Sequence, residues 1–577
     1  MDRLRKGLAP LLALFAALGA WRSLASPDTF WHLAAGRWIL DHGEVPDHDP
    51  FRFTSDREPW VDHEWGFQLL LALAERIGGL TGVLAFRCAI FVLLAWLLWR
   101  LGIRIAGFEG EPRGDGMVIA LGFGLLVTLD GLHGRMPLRP ELLTLVLFAT
   151  LLWLLEVARE RPNAAWLTLP LTALWVNVHP GALLAPGVVF LHLAGRRLQP
   201  GALDASGIRP SWATAMGFTG GTALALGANP WGFHVVALPL RIRAALSDLP
   251  ATNPDWRRGW DDPPYWLLGI LLLLTFTAIR LRDRRVDLAS AFELAAMTAL
   301  TCIAVRFQGL AWIAAFAFAA HLVRLVSARA EVFGRRIAPV TAALLLLACG
   351  VEGWRASQAP AAIAPGRFPE AGMAALATWD REVGVGHLFH HAVFGGYVLY
   401  RSFPPRQVFV DTRNEVDPSI LHQIAEARSD ARAWRALVER YELDAALLRY
   451  EDRPRQVLGQ PAVPGGRPTM ELRTTSALLF PPDRWALVHW DDVSMLFLRR
   501  TEARAARLAD SEYRFVQPED VQTTLQKAAR DPAFRAGLTA DLQRKIAEDP
   551  DCRRARAILD ALQRRLNIDT IPSLPLP

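Results

Sequence analysis

Asp28-Thr29-Phe30-Trp31-His32, then Gly36-Arg37-Trp38, Gly43-Glu44-Val45-Pro46, Asp49-Pro50-Phe51 and Pro59-Trp60-Val61-Asp62-His63-Glu64-Trp65 form one short polar interval between two membrane-length apolar runs. A plain connecting loop needs only turn residues and solubility. This one gathers carboxylates, histidines and tryptophans, groups that can hold a metal ion, take a proton and stack on a sugar ring. That is the equipment of an active site at a membrane surface.

Working outward, 52% of the 577 residues are hydrophobic and 21% are charged. The first figure is too high for a soluble chain of this length, and the second too high for one that lies wholly in lipid. Together they fit a polytopic membrane part followed by a water-soluble part. Spans of roughly 20 apolar residues are expected at 7–25, 81–105, 116–132, 140–158, 164–178, 182–195, 212–228, 264–281, 288–305, 308–326 and 337–352. That makes about eleven transmembrane helices on the same ruler. Residues 66–77 are apolar on one side only and read as an interfacial helix. The first span is expected to stay uncleaved, because Leu24-Ala25-Ser26 followed by Pro27 is a poor cleavage site.

Three regions follow: a transmembrane domain over 1–352 with an outer loop at 26–66, a soluble α/β domain over 353–500, and a helical tail over 501–577. In the soluble part a helix is expected at 369–383 and another at 417–440. Short strands are expected at Gly396–Tyr400, Gln407–Val410, Ala445–Leu448, Trp485–His489 and Ser494–Leu498. Ala529 to Leu562 has the spacing of a single helix-turn-helix unit.

Net charge is +6, and only three of the 63 basic residues are lysines. The basic residues cluster at span ends, where topology and anionic headgroups account for them, so nucleic-acid binding is not expected. With Arg3, Arg5 and Lys6 inside, the inner loops receive Arg100 and Arg104, Arg159 and Arg161, Arg196 and Arg197, and Arg335-Arg336. The outer side receives the Asp28–Glu64 interval, Arg135 to Glu141, Asn177-Val178-His179-Pro180-Gly181, Arg306-Phe307 and the soluble part. Every unusual polar cluster thus falls on one face. Cys88, Cys302, Cys349 and Cys552 form no pair that reads as a disulfide framework or a metal ligand set.

The order of motifs resembles the GT-C superfamily of polytopic glycosyltransferases. Within it the match is to bacterial relatives of protein mannosyltransferases and lipid A aminoarabinose transferases. The resemblance rests on Asp-x-x-x-His, Gly-x-Trp, Gly-x-Val-Pro and Pro-Trp-x-x-His-Glu-Trp ahead of a short amphipathic helix. It extends loosely to the soluble part through Gly395-Gly396-Tyr397 and Val410-Asp411-Thr412-Arg413. It implies a bacterial inner-membrane protein with a cytoplasmic N-terminus and a periplasmic or extracellular C-terminal domain. Its partners would be a polyprenyl-phosphate sugar donor, an envelope glycan, lipid or protein acceptor, and the bilayer. Asp28 would be the base or a metal ligand, with Mg or Mn as the metal. Thr29 stands where a second carboxylate is usual, and Asp49, Asp62 or Glu64 can replace it if the loop folds back.

Each residue also has a plainer reading. Asp28 or Ser26 can simply cap the next helix. His32, four residues on, shares the helical face of Asp28 and can bind metal or phosphate, or be an ordinary interfacial histidine. His63 and Glu64 can line the pocket, with Glu64 as a second catalytic carboxylate. Asp49 is the second metal candidate, although Asp-Pro is also a common turn. Arg135, Arg139 and Arg306 suit a phosphate leaving group, while snorkelling to headgroups explains many arginines at span ends. Asn177 and His179 break an apolar run, which favours a cavity-facing or helix-end role. The rival to an enzyme is a non-catalytic relative that kept the scaffold and assists envelope polysaccharide assembly or export.

Overall fold

The structure is a computed structural model that describes residues 2–55, 59–107, 114–133, 137–199, 209–245, 286–325, 327–359, 362–413, 419–428, 430–451, 455–458 and 470–569. The chain divides into two compact units. The first holds Met1–Asp47 and Val61–Ile363, the second His48–Trp60 and Ala364–Pro577. A piece of the first polar loop therefore belongs to the second unit.

The first unit is helical: α1 Asp2–Ala20, α2 Pro27–His42, α3 Trp65–Ile105, α4 Asp115–Gly131, α5 Glu141–Ala158, α6 Thr168–Val176, α7 Ala185–Leu198, α8 Trp212–Ala225, α9 His234–Ala245, α10 Leu288–Ile303, α11 Gln308–Leu325 and α12 Ser327–Ser357. Eleven spans are not supported. Among the described residues four segments are long and apolar enough to cross a bilayer: Trp65–Ile105, Glu141–Ala158, Val305–Arg324 and Glu331–Ser357. Gly7–Ala20 and Leu288–Ile303 are apolar but shorter. The span expected at 264–281 lies outside the described residues.

Proline explains the largest departure. The run 164–178 has the hydropathy of a span, yet Pro162 opens a 3-10 turn and α6 is only nine residues long. Pro180 then opens a second 3-10 turn before α7. Each proline removes an amide donor and clashes with the preceding turn, so an apolar run becomes short pieces. The expected break between 77 and 81 occurs inside α3, where Gly78 and Gly79 leave helical geometry and Gly79 takes φ 59°. Only glycine enters that region without strain.

Four of these helices carry polar groups at both ends. At one end are Glu141 of α5, Ala185 of α7 close after His179, and Arg306 between α10 and α11. At the other end Arg159 Nη1 reaches Asp287 Oδ2 at 2.9 Å and Arg159 Nε reaches Glu156 at 2.9 Å. There His192 Nδ1 lies 2.8 Å from Glu293, and His321 Nε2 lies 3.4 Å from Glu156. An 18-residue helix is about 27 Å long, so the two polar layers stand about one hydrocarbon core apart.

The second unit places β1 His387–His390, β2 Leu443–Arg449, β5 Trp485–Trp490 and β6 Ser494–Arg499 in one sheet of order β1-β2-β6-β5. β1 and β2 are parallel, and the other two pairings are antiparallel. A separate hairpin joins β3 Arg455–Leu458 to β4 Met470–Arg473. Around them lie α13 Glu370–Val383, α14 Ala392–Ser402, α15 Ser419–Ala427, α16 Ala431–Arg440 and α17 Thr475–Leu479. The tail forms α18 Ala505–Ser511, α19 Val521–Arg530, α20 Pro532–Glu548 and α21 Arg553–Asp569. Leu538, Leu542, Ile558 and Leu562 share one buried core with Trp434, Phe480, Trp485 and Phe497. The tail thus completes the core of the sheet.

Two expected strands are not strands. Gly396–Tyr400 lies in α14, where a Cβ on Gly395 would stand 2.1 Å from the Val410 carbonyl oxygen. The helix backs directly onto the 410–411 backbone, so Gly395 is needed for close packing and not for a turn. Gln407–Val410 makes a single parallel bridge, Arg52 to Val408, with the inserted segment.

Candidate functional site

In the first unit, α2 begins with Ser26 at its N-cap and Pro27 in its first turn. Ser26 makes no side-chain cap bond. Its hydroxyl instead accepts from Arg139 Nε at 3.0 Å, and the same nitrogen lies 2.9 Å from Asp28 Oδ2. Thr29, fully buried, donates to the Leu138 carbonyl at 2.9 Å. Thr29, standing where the resemblance would place a second carboxylate, is therefore a pin between α2 and the segment before α5. Gly36 lets α2 lie against α3, because a Cβ there would meet the Gln68 carbonyl oxygen at 2.1 Å.

Glu64 sits at the N-cap position of α3, and three imidazoles surround its carboxylate. His32 Nε2 is 3.8 Å from Oε2, while His63 Nε2 and His179 Nε2 are 3.7 and 3.9 Å from Oε1. All three histidines are buried. The separations exceed a direct hydrogen bond. His32 lies against Trp31, the rings tilted by 34°, and meets the edge of Phe67. His63 Nδ1 lies 3.2 Å from its own turn at the Val61 carbonyl. Asp62 holds that turn by accepting from Gln68 Nε2 at 2.6 Å.

The tautomer of His179 follows from its neighbours. Nδ1 accepts the Gly181 amide at 3.0 Å and lies 2.8 Å from Thr144 Oγ1. Trp175 Nε1 donates to that same hydroxyl oxygen at 2.9 Å, leaving the threonine proton for the imidazole. An occupied Nδ1 lone pair puts the ring proton on Nε2, on the Glu64 side. Burial, then the Arg306 guanidinium and His63, hold His179 well below the usual imidazole range, so it is neutral at pH 7.

His179 and Thr144 also line a cavity of about 440 Å³, counting space open to solvent, with Glu141, Gly181, Arg306 and Phe307. Arg306 follows the end of α10, and its Nη2 lies 2.9 Å from Glu141 Oε1. A guanidinium paired with a partly exposed carboxylate can exchange that partner for a phosphate.

The remaining candidates fall elsewhere. Asn177 spends its amide on the fold: Oδ1 accepts from Trp65 Nε1 at 3.0 Å, and Nδ2 donates to Ala173 and Ala228 carbonyls at 2.7 Å each. Arg135 lies outside the described residues. Asp49 belongs to the second unit, where Arg413 Nη1 lies 3.0 Å from its Oδ1. Asp28 is paired with Arg139. Among the described residues no three His, Cys, Asp or Glu side chains are placed to hold a metal ion together.

Glu141 and Thr144 are the site residues that the sequence reading did not single out. An acid in a first helical turn is usually a dipole partner, and its pairing with Arg306 spans 165 positions. The available signal is Thr144 three residues after Glu141, the hydroxyl on that face of an apolar helix.

No protein-family model matches the chain, and no curated protein does. Among solved structures it is similar to the oligosaccharyltransferase of Archaeoglobus fulgidus in its apo form, at TM-score 0.52 and 11% identity. That match covers 94% of this chain and 86% of the other. The same enzyme tethered to an acceptor peptide with the NVT sequon matches at TM-score 0.49 and 12% identity, over 94% and 85%. At such identity the likeness is one of fold alone.

Proposed function

We propose that the chain is a membrane glycosyltransferase that moves a sugar from a lipid-linked phosphate donor to a hydroxyl acceptor at the outer membrane surface. The carrying observation is the pairing of two devices within one unit. Glu64 among three imidazoles can receive a proton, and Arg306 in the adjoining cavity can receive an anion.

The acceptor oxygen attacks the anomeric carbon, and its proton passes to a Glu64 oxygen. The bond from that carbon to the carrier phosphate breaks, and both its electrons leave with the phosphate. Arg306, released from Glu141, meets the new charge with its guanidinium fork. Neutral His179 turns its Nε2 proton to the Glu64 side, 3.9 Å from Oε1. Asp28 is instead engaged by Arg139 at 2.9 Å.

A polyprenyl-phosphate donor and a bacterial inner-membrane setting come from the family resemblance, as does an envelope acceptor. The test is sugar release from radiolabelled polyprenyl-phosphate hexoses by purified protein in lipid, with Glu64→Gln and Asp28→Asn as controls. EDTA and added Mg or Mn in the same assay read the metal dependence that the resemblance implies. Turnover lost in Glu64→Gln supports the assignment, whereas turnover unchanged there removes it. The second reading, a scaffold that assists polysaccharide assembly or export, is favoured by Thr29 acting as a pin. Carrier binding without release across the panel would select it.

A further inference from the structure

Helices α5, α10 and α11 meet twice within the first unit. At one end lie the cavity residues Glu141, Arg306 and Gly309, and at the other a closed set of charges. Arg159, at the C-cap of α5, forks onto Asp287, the N-cap of α10, with Nη1 and Nη2 at 2.9 and 3.1 Å. Its Nε stands 2.9 Å from Glu156. The same two carboxylates share a third neighbour on α11: His321 Nε2 lies 3.4 Å from Glu156 Oε1 and 3.8 Å from Asp287 Oδ1. Glu156, Asp287 and His321 are all buried. Beside them α7 brings His192 to 2.8 Å from Glu293 of α10, an acid and a base that answer each other. Of the other helices packed on α11, α3 carries Arg104 in its last turn, paired with Glu160 at 2.9 Å, and α4 opens with Asp115.

A neutral imidazole has at most one N–H to give from Nε2, and here two carboxylates face that nitrogen. An imidazolium answers both with its charge. Burial and the neighbouring Arg159 oppose that charge. The two carboxylates favour it, and the exclusion of water strengthens their pull. Three helices also need no such contact to stay together, since well-packed apolar side chains of similar volume hold them at least as firmly.

We infer that His321 is a buried proton-binding residue: as an imidazolium it ties Glu156 of α5 and Asp287 of α10 to α11, and release of the proton loosens the three helices at the end away from the cavity. The folded chain then keeps a proton that the unfolded chain gives up above about pH 6.5. This contribution to stability is full below that pH and is lost as pH rises. Any effect on sugar transfer rests on the function proposed above, but the proton and the clamp do not.

The experiment is nitrogen-15 NMR of the histidine-labelled full chain in lipid at about pH 8, where an ordinary histidine is neutral. The expected result is an imidazolium signal that His321→Gln removes. No such signal in the unaltered protein overturns the inference. Glu156→Gln keeps the histidine and takes away one of its carboxylates, so the signal should titrate away about one pH unit lower or more. A titration unmoved by Glu156→Gln counts against the assignment, even where His321→Gln fails to fold. Amide exchange at Leu288–Glu293, divided by the unstructured rate at each pH, reads the clamp. His321→Gln should speed it about tenfold at about pH 6. At a pH where the imidazolium signal is gone, the variant and the unaltered protein should exchange alike. An equal difference at both pH values would mean a purely structural histidine and would reject the clamp. Because neither measurement uses donor, absence of sugar transfer by the unaltered protein counts against the enzyme reading alone.

Discussion

Glu64 and Asp28 are both carboxylates near histidines, yet their surroundings assign them different work. Asp28 is neutralised by Arg139 at 2.9 Å, while Glu64 faces three imidazoles across gaps near 3.8 Å. Glu64→Gln is expected to reduce sugar release about 100-fold or more, the usual scale for a general base. Thr29→Val should instead destabilise by about 1–2 kcal/mol, since it leaves the Leu138 carbonyl without its donor. Thermal unfolding in detergent alongside the release assay separates the two. At this scale much was readable in the sequence. An ionisable group at the end of an apolar run must find a partner or a cavity, which picks out His179 and Arg306. The partner itself was not readable, because Glu141 and Arg306 are distant in sequence and only the folded bundle joins them.

Helices α2 and α3 carry Asp28, His32 and Glu64, and their close crossing depends on Gly36. Gly36→Ala must push the helices apart by more than a side chain can absorb, because the obstacle is the Gln68 backbone. The expected result is a loss of about 2 kcal/mol or more, with turnover falling through misplaced His32. Gly187→Ala, where a Cβ meets nothing within 4 Å, is the matched control and should be silent in both readings. Hydropathy alone misjudged elements of this kind. It counted 164–178 as a span, although prolines on either side cut that run to one short helix. It also read Gly396–Tyr400 as a strand, because β-branched and aromatic residues suit a buried helix face as well as a sheet. The strands at 445–448, 485–489 and 494–498 were readable as short apolar runs and lie within β2, β5 and β6.

Across the whole molecule, the second unit is expected to be acid-labile. His390 Nε2 accepts the Phe409 amide at 3.2 Å, a bond only the neutral ring can make. Burial lowers His390 to about 4, and burial with Arg428 and Arg449 lowers His391 to about 4. A histidine depressed in the folded state leaves the unfolded chain binding more protons below pH 6.5. Stability should therefore be full above that pH and fall as pH drops toward 4. Asp411 adds to the loss at lower pH: burial would raise its carboxyl, but Arg413 and Arg52 override that and hold it well below the usual range. Hydrogen exchange at 387–410 against pH reads the effect, and His390→Gln should flatten the profile between pH 6.5 and 4. That residues 48–60 belong to the second unit was not readable, since no local pattern marks a partner 359 positions away.

That distance also sets a timetable for biogenesis. Arg52 leaves the ribosome well before Asp411, by on the order of 20–70 s at ordinary synthesis rates. During that interval the segment has no partner and the intervening helices must insert around it. The second unit can close only once its earliest-made piece is captured by residues made 359 positions later. A recombinant fragment beginning at Ala364 would accordingly carry a vacant berth at Asp411 and Arg413, and a synthetic peptide spanning 48–60 should fill it in trans.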